Sequence, residues 1–239
     1  MSFRIRILFN DTARRTDLAT GIGFSALIGD DLLFDTGNDG GSLLANMTVL
    51  GIDPIEINTV VISHDHWDHT GGLTGLLSIK PGITVYGCHG FSEELKQTIK
   101  LKNGVFESCA GYRQIGPGIF LTGEIPADYK GSYLAEQAMV LQSEKGISII
   151  TGCAHPGIVR IVDNVKEHFS ADSIHIVGGG FHLHHHDKRG LREVLQQLAT
   201  RNISFFAPMH CTGNRAIEAF AAMFGSRAKI LASGDSIEI

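Results

Sequence analysis

Cysteine is scarce in this chain of 239 residues: only Cys88, Cys109, Cys153 and Cys211, with no C-x-x-C pair among them. That is too few and too scattered for a disulfide framework, so a reducing compartment, the cytoplasm, is expected. Cys153 and Cys211 each stand within two residues of a histidine, but as isolated thiols they read as small buried hydrophobes. No apolar run approaches the roughly 20 residues needed to cross a bilayer. Met1 to Asn10 alternates arginine with apolar residues and lacks a signal-peptide core, so neither a membrane partner nor secretion is predicted. Blocks of lysine and arginine are also missing, and 20 basic against 25 acidic residues leave a net charge of -5, so nucleic acid is not an expected partner. Low-complexity tracts and linkers are absent, and the 43% apolar content is ample for a core; a single domain over residues 1–239 is expected.

Against these absences stand 12 histidines, and their positions follow a rule. Short strands separated by turns are predicted over Phe3–Phe9, Phe24–Ile28 and Leu32–Phe34, then a helix over Ser42–Leu50. From Thr59 the pattern becomes strand then helix, and four segments repeat one design: an apolar run, a small polar loop holding histidine, and a helical pattern. They start at Thr59 (TVVISHDHWDHTGG), Ile147 (ISIITGCAHPG), Ile174 (IHIVGGGFHLHHHD) and Ile203 (ISFFAPMHCTG). In α/β sheets, ligand sites lie beyond the carboxyl ends of the strands, so four such loops can converge on one rim. Residues 86–146 are less regular. Ser92 caps a predicted helix, a Gly/Pro/Tyr-rich loop runs from Gly116 to Tyr133, and the whole segment reads as a connection between halves that could serve as a lid.

The loop SHDHWDH, Ser63 to His69, places His64, His66, Asp68 and His69 within six residues. Imidazole nitrogen and carboxylate oxygen are ligands that Zn²⁺ accepts, with Mn and Fe as further candidates. A merely solvated loop gives no reason for such density. HDHWDH, preceded by an apolar strand and followed by TGG, resembles the H-x-H-x-D-H signature of the metallo-β-lactamase superfamily. Further landmarks of that family fall in order: DTG at Asp35–Gly37, TGCAH ending at His155, and MHCTG around His210. The resemblance implies an α/β fold, an αβ/βα four-layer sandwich of two mixed sheets flanked by helices. It further implies one or two zinc ions, the first held by His64, His66 and His155, the second by Asp68, His69 and His210, with a metal-bound hydroxide as nucleophile.

By this resemblance Asp68 and His210 are the catalytic candidates. Asp35 is expected to support the metal loop through hydrogen bonds. Many binuclear relatives carry a bridging aspartate in the third of the repeated loops, but Ile174 to His186 contains no carboxylate. His182 is the nearest substitute, as a ligand or as a substrate contact. Counting only Asp68 and a hydroxide against two divalent ions leaves a net positive site, which suggests an anionic substrate. Trp67, Phe181, Lys188 and Arg189 are the substrate-binding candidates, while His184, His185 and His186 read as a solvated loop and His89, His168 and His175 as structural. The expected activity is metal-dependent hydrolysis of a small anionic molecule, phosphorylated compounds among the candidates. GGGFHL, TGCAH, HCTG and TGEIP together resemble the dihydropterin-ribofuranosylaminobenzene phosphate synthase-like branch, so transfer of a pterin methyl group with loss of diphosphate is the alternative. A non-catalytic metal-containing binding module is the second alternative.

Overall fold

In a computed structural model describing residues 1–239, the predicted opening meander forms strands β1 (Arg4–Phe9), β2 (Ser25–Ile28) and β3 (Leu32–Phe34), paired antiparallel. Strands β4 (Thr59–Val61), β5 (Thr84–Cys88) and β6 (Val105–Cys109) continue this sheet in parallel. A second sheet contains β7 (Arg113–Gly116), β8 (Ile119–Leu121), β11 (Met139–Ser143), β12 (Gly146–Thr151), β13 (Ile174–Gly180) and β14 (Ile203–Met209). Between β8 and β11 the hairpin β9 (Ile125–Tyr129) and β10 (Ser132–Glu136) stands apart from both sheets. The last strand, β15 (Ser236–Glu238), returns to the edge of the first sheet beside β1.

Period-two alternation explains how the layers stack. In β2 and β3, Ala26, Ile28, Leu32 and Phe34 face the core between the sheets, where they meet Met139, Leu141, Ile150 and Ile176. Leu27 and Leu33 point the other way, onto helices α1 (Gly40–Val49) and α3 (Leu73–Ile79), with α4 (Glu93–Leu101) covering the same outer face. Helices α5 (Ile158–Phe169), α6 (Lys188–Ala199) and α7 (Asn214–Phe224) cover the second sheet. In α5 the buried set Ile158, Ile161, Val162 and Val165 follows the i, i+3, i+4, i+7 spacing of one helical face. Two mixed sheets with helices outside make the four-layer sandwich expected from the sequence. No helix is long and apolar enough to cross a membrane.

Residues 86–146 contain strands of both sheets, and the Gly116–Tyr133 loop contains β8, β9 and the start of β10. Glycines at turns and Pro126 within β9 hid the strand pattern, since proline is tolerated in a hairpin that stands free of a larger sheet. The β9–β10 hairpin reaches the histidine loops through Tyr129, whose ring centroid lies 4.8 Å from that of His66.

Candidate metal centre

Four histidine-bearing loops leave the carboxyl ends of β4, β12, β13 and β14 and meet at one rim of the sandwich. Strands β12, β13 and β14 are parallel neighbours, which aligns three of the loops; β4 faces them from the first sheet. His66 is the N-cap of the short helix α2 (Trp67–Thr70), so Asp68 and His69 lie on its single turn. The structure brings all six residues of the implied ligand set together. Donor atoms of His64, His66 and His155 lie within 4.8 Å of one another, as do those of Asp68, His69 and His210.

The separations fit coordination. With metal–nitrogen bonds of about 2.0–2.1 Å, two donors on one tetrahedral ion stand roughly 3.3–3.4 Å apart. His64 Nε2 and His66 Nδ1 are 3.1 Å apart, and Asp68 Oδ2 is 3.4 Å from His210 Nε2 and 3.6 Å from His69 Nε2. His210 Nε2 is buried, with Asp68 Oδ2 3.4 Å away and no other protein partner. A buried nitrogen aimed at other donors is costly unless something electrophilic sits between them.

Behind the rings, carboxylates hold three of the five imidazoles. Asp35 Oδ2 accepts from His69 Nδ1 at 2.7 Å, Glu136 Oε2 from His155 Nδ1 at 2.9 Å, and Asp11 Oδ1 from His210 Nδ1 at 2.9 Å. An ionised carboxylate only accepts, so each Nδ1 carries a proton and each Nε2 is turned toward the cavity. Asp35 also accepts from the Ser63 backbone and hydroxyl, both at 2.7 Å, which ties the start of the metal loop to β3. Glu136, buried at the end of β10, accepts the backbone N–H groups of Cys153, Ala154 and His155 besides the ring. Burial alone would raise the pKa of Glu136; the His155 ring and these amides hold it below the usual range. Asp35 goes the other way, since burial outweighs His69 and Ser63 and pushes its carboxyl up.

The backbone is bent to bring these groups close. Asp35, Ala154, His182 and His210 all have positive φ, between 48° and 59°, a region that non-glycine residues seldom occupy and that clusters at functional sites. Gly152 lies so near the β4 loop that a Cβ there would sit 2.0 Å from Ser63 Oγ, and one on Gly180 would be 2.6 Å from Cys211 Sγ. Close approach of the two loops is therefore what requires glycine at position 180.

A cavity of about 500 Å³ opens above the donors, within the range of small-molecule sites. Trp67 lines its mouth and is 61% exposed; His182 lines it deeper in, with Nδ1 buried and unpartnered. His184, read from sequence as part of a solvated loop, also lines this cavity and bonds the Cys211 carbonyl through Nδ1 at 2.9 Å. Three substrate candidates are placed elsewhere. The Phe181 ring is buried in the α5–α7 core against Phe220, because its neighbour His182 takes the cavity-facing position. Lys188 and Arg189 open helix α6 away from the cavity, and exposed Arg189 pairs with Glu193 one turn on. Sequence reasoning missed Asp11, Glu136 and Tyr129. Each lies far along the chain from the motif it supports, and only sheet pairing shows the proximity.

The sequence profile of the metallo-beta-lactamase superfamily matches residues 20–210, and the chain belongs to that superfamily. A 7,8-dihydropterin-6-methyl-4-(beta-D-ribofuranosyl)-aminobenzene-5'-phosphate synthase of Methanocaldococcus jannaschii is 28% identical over 246 aligned positions, spanning 87% of this chain and 84% of that one. The crystal structure of Tm1679, a metal-dependent hydrolase of the beta-lactamase superfamily, superposes with a TM-score of 0.82 at 26% identity over 99% of both chains. A diphosphatase of the PhnP family shares the fold, with a TM-score of 0.63 at 12% identity over 100% of this chain and 98% of that one. The fold implies divalent metal binding, and the clustered donors fit it.

Proposed function

We propose that this protein is a metal-dependent hydrolase of small substrates bearing an anionic group. In this reading His64, His66 and His155 hold one zinc ion and Asp68, His69 and His210 a second. The observation that carries it is the pairing of two donor triads along the floor of one cavity, with three of their imidazoles fixed from behind by carboxylates. Bound divalent ions supply Lewis acidity and a water acidified toward neutral pH.

The chain's own groups supply the rest. Burial would raise the pKa of Asp68, but His210 and His69 pull it well below the usual carboxylate range, so it stays ionised and can orient a water by accepting its hydrogen bond. His182 lines the cavity, and Trp67, Ile22 and Tyr129 wall it with apolar surface. No lysine or arginine lines it, so an anionic group has only the ions and the histidines to meet.

The charge balance differs from the one read in sequence. Two divalent ions bring +4, and Asp68, Asp11, Asp35 and Glu136, when all four are ionised, together with the hydroxide already counted bring -5, a sum of -1. The site is thus close to neutral in sum. Attraction for an anion comes from arrangement instead: three of the carboxylates lie behind rings, while the donors face the cavity. The Methanocaldococcus jannaschii relative supports a second reading, group transfer from a pterin methyl diphosphate to a ribofuranosylaminobenzene phosphate. Both readings need metal beside a departing anionic group.

One experiment separates them. Protein with measured metal content is assayed against phosphoester, lactone and thioester substrates, and against the pterin diphosphate with and without the acceptor. Turnover of a single-substrate ester supports hydrolysis; a condensed product formed only with both partners supports transfer. Inactivity of the metal-loaded protein toward all of them would refute both.

A further inference from the structure

Cys153 takes no part in the reading above, yet its sulfur sits in the middle of the donor cluster. Donor atoms of His64, His69 and Cys153 lie within 4.8 Å of one another, as do those of Cys153, His155 and His182, and those of Cys153, His210 and Cys211. Among residues outside the two triads, Cys153 alone is shared by groups that draw on both. Its Sγ is 3.3 Å from His69 Nε2, near the roughly 3.5 Å between sulfur and nitrogen on one tetrahedral zinc. The side chain is buried, at 3% exposure, and its backbone N–H is clamped by Glu136 at 3.0 Å.

An independent feature points to a ligand at this spot. His210 Nε2, buried and without a hydrogen-bond partner, belongs to one of the groups that include Cys153. The loop after β13 contains no aspartate or glutamate between Ile174 and His186, so no carboxylate reaches the space between the triads from that side. His69 Nδ1 donates to Asp35, which leaves Nε2 as an acceptor for the Cys153 thiol. A thiol proton directed at an imidazole lone pair occupies a position that a metal ion can take.

Building on the metal centre proposed above, we propose that Cys153 is a ligand whose thiolate bridges the two ions. A sulfur about 2.3 Å from each of two ions roughly 3.5–4 Å apart subtends an angle of about 100–120°, which strains neither bond. On binding, the S–H bond breaks, its proton leaves to solvent, and sulfur–metal bonds form; nothing is oxidised or reduced. A sulfur donor favours zinc and cobalt over magnesium and manganese.

Cobalt(II) substitution of the full-length protein tests this without recourse to activity. Visible ligand-field bands report that cobalt is held by the triads; a sulfur-to-cobalt charge-transfer band in the near ultraviolet reports a thiolate ligand. Wild type should show both. Cys153→Ala should keep ligand-field bands, lose the charge-transfer band and bind at least one equivalent about tenfold or more weaker, since outer partners of ligands already account for 10–100-fold. Cys153→Ser, which keeps the size of the side chain, should also lose the band, and Cys211→Ala should retain it. Ligand-field bands without charge transfer in wild type would overturn the assignment while leaving the metal centre intact, as would a band that survives Cys153→Ala or vanishes only in Cys211→Ala. A wild-type protein that retains no cobalt would overturn both.

Discussion

The two donor triads share one loop but are built to opposite electrostatic plans. His64, His66 and His155 are three imidazoles with one carboxylate behind them, Glu136. Asp68, His69 and His210 already include a carboxylate and are backed by two more, Asp35 and Asp11. The histidines respond accordingly. Burial, and then the neighbouring imidazoles, hold His64 well below the ordinary range, so its lone pair is free at neutral pH. For His210, burial alone would lower the pKa, but Asp11 and Asp68 outweigh it and push it up to about 10. Without metal, the first triad is a set of open donors and the second is a site already holding a proton. An ion entering the second triad must displace that proton.

The largest expected effect comes from breaking the first triad. His64→Ala or His66→Ala should remove the ion held there and, with it, several kcal/mol of transition-state stabilisation, about a thousandfold or more in turnover. Elemental analysis beside the assay checks this, and full metal content in both variants would contradict the ligand assignment. Next is Glu136→Gln. An amide can accept with only one of its two ends, so at least two of the four bonds that Glu136 accepts from the Cys153, Ala154 and His155 amides and the His155 ring are lost. First-ion affinity should fall about 10–100-fold and the chelated protein should lose about 1–3 kcal/mol per buried donor left unpaired. Competitive metal titration and denaturant unfolding measure the two separately; an unchanged first-ion affinity would break the claim that Glu136 aims His155.

How far the sequence alone reaches follows the same division. The six triad residues, the opening meander and the four strand–loop–helix segments were legible because each lies within a short window where an apolar run meets a dense polar motif. Asp35 was legible too, as a carboxylate just after a strand. Glu136 and Asp11 were not, since SYLAEQ and FNDT look like ordinary strand ends and only the folded sheets set them against His155 and His210. Phe181 was misplaced because strand-end residues alternate in direction, and a shift of one position decides between core and cavity.

A smaller effect sharpens the contrast through pH. The folded pKa of His210, about 10, lies above the unfolded value near 6.5. Its stabilising contribution is complete below pH 6.5 and is lost as pH rises through about 10. In chelator the Tm should fall across that window; with zinc bound the decline should be much reduced, because the ion replaces the proton. A Tm of the chelated protein that does not fall across this range would contradict a protonated His210 ring beside Asp11 and Asp68. The smallest effect concerns the mouth. Trp67→Ala should leave metal content unchanged and raise KM a few-fold, about 1 kcal/mol of lost contact at an exposed aromatic; loss of metal in this variant would mean that the tryptophan supports the loop instead of the substrate.

The central claim is that both triads are ion sites despite their different charge plans, and anomalous X-ray scattering from zinc-loaded crystals tests it most directly. Data collected above the zinc edge should show two peaks about 3.5–4 Å apart. One should lie among His64, His66 and His155 and the other among Asp68, His69 and His210. The second peak should weaken first in crystals grown at lower pH, where His210 keeps its proton. A single peak at saturating zinc and alkaline pH, or peaks outside the two triads, would contradict the account.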